Sequence, residues 1–267
     1  MSAKLKKIAA EIRKDVVKMH RRGTNVGSAM SAADILAVLY FDVMNVKSPD
    51  DPLRDRFVLS KGHAVSALYA TLARKGFVDP AMLSRYLADG SPLTGHPCAG
   101  NLPGIDVSTG SLGHGLPIAV GMAWGARQDG RAFRVFVLMG DGEQQEGTVW
   151  EGAALASRLG LDNIIAVIDA NRLQGYDRTD TIMPVATLAD KWRAFGWAAE
   201  EVDGHDVERL RDVLRRAPFA AGRPSAVIAH TIKGKGVAEM EDKLGWHYFS
   251  VPEEKVSPFC DELDEPE

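Results

Sequence analysis

Residues 134–174 read RVFVLMGDGEQQEGTVWEGAALASRLGLDNIIAVIDANRLQ. The stretch parses as a buried strand, an acidic glycine turn, a helix, and a second buried strand that ends in Asn171. Asp141 and Asn171 lie 30 residues apart, a suitable length for one β-α-β crossover. Each falls at the carboxyl end of its strand, the edge of an open parallel sheet where ligands bind. Magnesium takes octahedral oxygen ligation and keeps room for waters and phosphate oxygens. Asp141 offers a carboxylate, Asn171 an amide oxygen, and the Leu173 carbonyl a third donor. Gly142 lets the backbone approach a phosphate and offers it an N–H. The pattern therefore points to a divalent metal and a diphosphate.

The rest of the chain continues the alternation. Helical spacing of Leu5, Ile8, Ile12, Val16 and Met19 predicts an amphipathic helix over residues 3–20. Residues 23–31 read as a small-residue loop and 32–41 as an apolar helix. Strands are expected at 56–59, 197–202 and 225–231, with helices following residue 63 and at 115–126, 186–195 and 207–217. Residues 90–111, rich in Gly, Pro, Ser and Thr, read as an extended loop of the functional kind. Strands alternating with helices predict an α/β fold, a parallel sheet covered by helices on both faces.

Composition narrows the function classes. The 267 residues are 45% hydrophobic and 25% charged, as in soluble globular proteins. A net charge of -4 argues against a nucleic-acid surface. No apolar run reaches the ~20 residues that span a membrane, and the N-terminus is charged and periodic, unlike a signal peptide. Cys98 and Cys260 stand in no metal-ligand spacing and read as free thiols. A cytoplasmic location is the expectation.

GDGEQQEG followed by DAN resembles the thiamine diphosphate motif in the form found in transketolases. LSKGHAVSALYATL, LTGHP, LPGIDVSTGSLGHGLPIAVGMAWGAR, VDGHD and TIKGKG each resemble a transketolase signature, in the expected order. The resemblance implies a thiamine diphosphate-binding fold. A diphosphate-binding domain would occupy residues 1–250, and an acidic C-terminal tail, 251–267, would fray. It also implies the N-terminal subunit of a split, two-chain transketolase, which moves a two-carbon ketol unit from a ketose to an aldose.

On that resemblance Asp141, Asn171 and the Leu173 carbonyl would hold Mg2+ or Ca2+, with Gly142 on the diphosphate. His63 and His247 match histidines flanking the cofactor phosphates and the reacting centre, and His96 matches one lining the substrate channel. Gly110, Ser111 and Leu112 fall in the loop whose backbone contacts the aminopyrimidine side. Glu146 matches the acid of a carboxylate network linking paired active sites. His20, His205 and His230 read as structural. The glutamate that protonates the aminopyrimidine would come from a partner, a C-terminal subunit with the pyrimidine-binding domain, in an α2β2 heterotetramer. The helix at 116–126, poor in charge, is a candidate interface element.

Three positions depart from the family pattern. Asn25 takes the place of a substrate-contacting histidine; an amide hydrogen-bonds a hydroxyl but relays no proton at neutral pH. His114 stands where glutamine is usual. Tyr248 and Phe249 follow His247 where small residues are more common. These departures favour a non-standard donor or acceptor, a modified sugar or a carrier-bound two-carbon unit, over a standard sugar-phosphate enzyme. The α subunit of a 2-oxoacid dehydrogenase is a rival reading, but it carries an Asn-Asn pair where this chain has Asp169-Ala170-Asn171. An inactive cofactor-binding paralogue is a third reading, motivated by Asn25.

Overall fold

The computed structural model describes residues 1–182 and 187–264. Five parallel strands form one sheet in the order β1-β2-β3-β5-β4: β1 Arg56–Leu59, β2 Val135–Gly140, β3 Ile164–Ala170, β4 Ala198–Asp203 and β5 Ser225–His230. The central strands are apolar without alternation because both faces are covered. Every residue of β3 is buried, as are the first five of β2 and of β5. The edge strand β4 reads AAEEVD and buries only Val202 fully, and its acidic side chains blunt the open edge.

Side chains alternate between two cores, as the twofold pleat requires. Phe136, Leu138, Ile165, Val167 and Val227 belong to one core. It is closed by α1 Ser2–Met19, α2 Val26–Ser31, α3 Ala33–Val38 and α4 Val65–Arg74. Val135, Val137, Met139, Ile164, Ala166 and Ile168 belong to the other. That core is covered by α5 Gly115–Gln128 and α6 Gly147–Arg158. After β3 the chain forms a single turn, α7 Thr179–Ile182, and then α8 Leu188–Ala194, whose Trp192 joins the second core. Helix α9 Val207–Arg216 returns to the first core. Ala186, where the sequence reading begins the helix before β4, lies outside the described residues.

Two expectations need correction. Residues 26–31 are not loop but helix α2. Its small side chains let it pack closely: a Cβ on Gly27 would stand 2.9 Å from Lys233 Cγ. The segment 253–262 does not fray either. It forms helix α10 Glu253–Glu262, which buries Phe259 against the first core together with Leu263 just beyond it. Lys14 pairs with Asp264, and the Phe259 ring lies 5.9 Å from Trp246. The tail's last residues, 265–267, lie outside the described residues. Among the described residues no helix is long and apolar enough to cross a membrane.

Candidate active site

The sheet order sets the site. Strands β1, β2, β3 and β5 are consecutive neighbours, so their carboxyl ends converge. β1 runs into Ser60-Lys61-Gly62-His63, β2 into Asp141, β3 into Asn171, and β5 toward Lys233. Lys61, His63, Asp141, Asn171 and Lys233 line one cavity of about 480 Å3.

Asp141 opens the short turn Gly142–Gln145 and is held from three sides. Its Oδ1 accepts from the Gly142 N–H at 2.7 Å; its Oδ2 accepts from the Arg172 N–H at 2.6 Å and the Thr179 hydroxyl at 3.2 Å. Burial, then the nearby Asp169 charge, raises its carboxyl above the ordinary carboxylate value, and these donors act the other way. Asn171 is 6% exposed, its Oδ1 accepting from the Leu173 N–H at 3.2 Å and its Nδ2 donating to Ser31 Oγ at 3.3 Å. Arg172 turns the chain with φ 63, and the Leu173 carbonyl accepts from Lys233 Nζ at 3.0 Å. Gly142 is tightly enclosed: a Cβ there would lie 2.9 Å from the Gln174 side chain.

The cavity suits a polar, anionic ligand with a hard cation. Asn25 Oδ1, Gln145 Nε2 and Gln174 Nε2 are buried polar atoms without a protein partner, and all three residues line it. Such atoms are costly unless a ligand or water meets them. Lys61 and Lys233, each 1% exposed, bring two cations to its wall. Asp141, Asn171 and the Leu173 carbonyl supply the oxygen donors that a magnesium-sized ion takes. The donor chemistry therefore fits a metal and a diphosphate.

His63 and His247 face each other across the cavity, with ring centroids 6.1 Å apart. Burial, reinforced by the Lys61 charge, holds His63 well below the ordinary imidazole value. His247 is brought down to about 4 by burial and by Lys233. Both are neutral near pH 7, able to accept or donate a hydrogen bond. Lys233 itself is lowered to about 8, by burial and then by Lys61.

Of the residues singled out in the sequence, the structure gathers Asn25, His63, Leu112, Asp141, Gly142, Glu146, Asn171, Leu173 and His247 around this cavity. Glu146 is exposed at its rim. His96, Gly110 and Ser111 stand outside the lining, on the exposed loop. His96 packs over Gly110, where a Cβ would come within 3.1 Å of its ring. His114 is exposed, with Nδ1 3.2 Å from both Ser111 Oγ and the Leu112 carbonyl. Tyr248 lines the cavity and donates to the Gly175 carbonyl at 2.6 Å. Sequence reading passed over Lys61, Lys233, Asp169 and Gln174. Its available signal was a lysine beside glycine just past an apolar strand, in SKGHA and again in TIKGKG.

Comparison with known proteins identifies the fold. Residues 4–263 match the family model described as transketolase, thiamine diphosphate binding domain. The chain is 43% identical to one subunit of the apulose-4-phosphate transketolase of Phocaeicola vulgatus, over 84% of this chain and 80% of that protein. It is 40% identical to the 6-deoxy-6-sulfo-D-fructose transketolase subunit SqwG of Clostridium sp., over 90% of this chain and 88% of that one. Human transketolase is 44% identical over 88% of this chain, but the match spans only 38% of its length. Transketolase from Leishmania mexicana superimposes with a TM-score of 0.87 at 30% identity, over 97% of this chain and 41% of that one.

Proposed function

The chain belongs to the transketolase family, and from that membership we propose that it is the cofactor-binding subunit of a two-chain transketolase acting on a sugar other than the ordinary ketose phosphates. The observation that carries this reading is the alignment, over most of both lengths, with split subunits named for apulose 4-phosphate and 6-deoxy-6-sulfo-D-fructose. Asn25 supports it from inside the cavity, since its unpartnered amide oxygen stands where the family pattern has a histidine.

When bound, thiamine diphosphate supplies the electron sink for breaking the C–C bond beside a ketose carbonyl. This chain's residues do the holding and the proton handling. Asp141, Asn171 and the Leu173 carbonyl would hold Mg2+ or Ca2+, and Lys233 would meet diphosphate oxygens beside Gly142, whose N–H is engaged by Asp141 Oδ1. Lys61, beside them on the cavity wall, adds positive charge. His63, kept neutral by burial, would orient substrate hydroxyls or take a proton from them, and His247, its Nδ1 engaged by Lys233, would orient them as a hydrogen-bond donor. The aminopyrimidine would be protonated by a glutamate of the partner, a C-terminal subunit carrying the pyrimidine-binding domain, and an α2β2 assembly would pair two such sites. Glu146, exposed at the cavity rim, would face that partner.

The test combines this chain with its partner subunit, thiamine diphosphate and Mg2+. Two-carbon transfer is followed from xylulose 5-phosphate, apulose 4-phosphate and 6-deoxy-6-sulfo-D-fructose to a common aldose acceptor. The expected result is turnover only with both chains present, and a higher kcat/KM for one of the latter two donors. Preference for xylulose 5-phosphate would make this an ordinary split transketolase with a tolerated Asn25.

A further inference from the structure

Ser31 closes helix α2 with no exposed surface, and it lies outside the cavity lining. Its hydroxyl connects Asp169 of β3 to Asn171 just past the strand's end. Ser31 Oγ donates to Asp169 Oδ2 at 2.6 Å and accepts from Asn171 Nδ2 at 3.3 Å. The direction of that chain is not arbitrary. Asp169 is fully buried and also accepts from Lys61 Nζ and the Thr231 hydroxyl. An ammonium offers only donors and a carboxylate only acceptors, so the Ser31 proton goes to Asp169. The Ser28 carbonyl, 3.2 Å away, is the longer alternative.

Ser31 then has only lone pairs to offer Asn171, and an amide facing lone pairs must present its NH2. A flipped amide would set Oδ1 against Ser31 Oγ and Nδ2 against the Leu173 N–H, two repulsions in a buried place. The order Lys61, Asp169, Ser31, Asn171 thus turns Oδ1 away from Ser31, toward the Leu173 N–H at 3.2 Å, in a residue that lines the cavity.

We propose that Ser31 is a positioning residue that, together with the Leu173 N–H on the other side of the amide, fixes which atom of Asn171 a divalent cation meets. The inference rests on the reading of Asn171 as a metal donor. Partners one hydrogen bond behind a ligand typically set ~10–100-fold in metal affinity, and Ser31 would act here with the sense of its proton as the determinant.

The experiment measures, in the assembled two-chain protein, the Mg2+ concentration that half-saturates thiamine diphosphate binding, by titration calorimetry. The proteins are the wild type, Ser31→Ala, Asn171→Asp and the double variant, with thermal midpoints in the absence of metal as a check on folding. Ser31→Ala is expected to need ~10–100-fold more Mg2+. In the Asn171→Asp background both side-chain atoms are oxygens, so there is no orientation to fix. There Ser31→Ala should cost nothing, or should lower the Mg2+ requirement by removing lone pairs that face a carboxylate. A wild-type Mg2+ requirement in Ser31→Ala, or the same loss in both backgrounds, overturns the proposal. Should Ser31→Ala not fold, Ser31→Cys places a weak donor in nearly the same space and is read against the same two backgrounds. Metal-independent cofactor binding by the wild type would overturn the metal reading, and this inference with it, before any variant is made.

Discussion

Lys233 Nζ lies 3.0 Å from His247 Nδ1 while also donating to the Leu173 carbonyl at 3.0 Å. An ammonium has no lone pair, so Nδ1 accepts, and the neutral imidazole carries its proton on Nε2. That atom faces the turn at Gly175, where a Cβ would come within 3.2 Å of it. His247 therefore presents a donor beside the cavity mouth. Burial and then the Lys233 charge hold its pKa at about 4. Lys233→Met should let the value climb toward the ordinary 6.5, with burial, the larger cause, still holding it below. NMR titration of the imidazole protons checks this; an unmoved pKa would assign the whole depression to burial. The same variant should weaken thiamine diphosphate binding by ~10-fold or more, as loss of a charged hydrogen bond does.

The ion pair of Lys61 and Asp169 is more deeply enclosed, at 1% and 0% side-chain exposure. Burial alone would raise the Asp169 carboxyl, but the Lys61 charge and three donors bring it below its ordinary value. Removing one partner strands the other charge. Lys61→Met should cost ~3–5 kcal/mol in urea unfolding. The pair of changes Lys61→Met and Asp169→Leu should cost less than Lys61→Met alone. A single-variant loss below ~1 kcal/mol would mean that water reaches the pair.

What the sequence disclosed follows from locality. A strand buried on both faces leaves an unbroken apolar run, so Phe57–Leu59, the run before Gly140 and the run before Asn171 were all legible. Asp141 and Asn171 were legible because each stands at the end of such a run. The position of β5 between β3 and β4 was not, since it depends on long-range pairing. That pairing is what carries Lys233 to the Leu173 carbonyl. Helix α2 was hidden by small residues with no apolar period. Helix α10 was hidden by its acids and Pro258, although Phe259 and Leu263 anchor it.

His20 contributes a pH dependence separate from the cavity. It is fully buried, with Nε2 2.7 Å from Ser66 Oγ, and burial lowers its pKa to about 4. The unfolded chain binds a proton near 6.5 that the folded chain refuses, so this stability is complete above pH 6.5 and is lost as pH falls toward 4. At ~1.4 kcal/mol per pH unit, the interval caps the effect at about 3 kcal/mol. His247 shifts in the same direction and adds to it. A His20→Gln variant should show a flatter stability profile between pH 4 and 6.5 in urea titrations. An unchanged slope would place the titration elsewhere.

Asn25 combines a backbone role with a side-chain role, and the two can be separated. Its φ of 69 is left-handed, a region asparagine tolerates better than most residues. Its N–H donates to the His247 carbonyl at 2.9 Å, and its own carbonyl accepts from Ser28 and Ala29 at the start of α2. The side chain donates from Nδ2 to Thr24 Oγ1 at 3.1 Å and leaves Oδ1 without a partner beside the cavity. Glycine adopts the same φ freely, so Asn25→Gly should keep stability within ~1 kcal/mol while removing only the amide. Its kcat/KM for the preferred donor should fall ~10-fold, the worth of one substrate hydrogen bond. Asn25→His introduces an imidazole and should shift preference toward xylulose 5-phosphate, because an imidazole can pass a proton where an amide cannot. Both variants are read as kcat/KM ratios across the donor panel. If neither ratio moves, the amide serves only the left-handed turn, and donor selection lies with the partner subunit or with Tyr248.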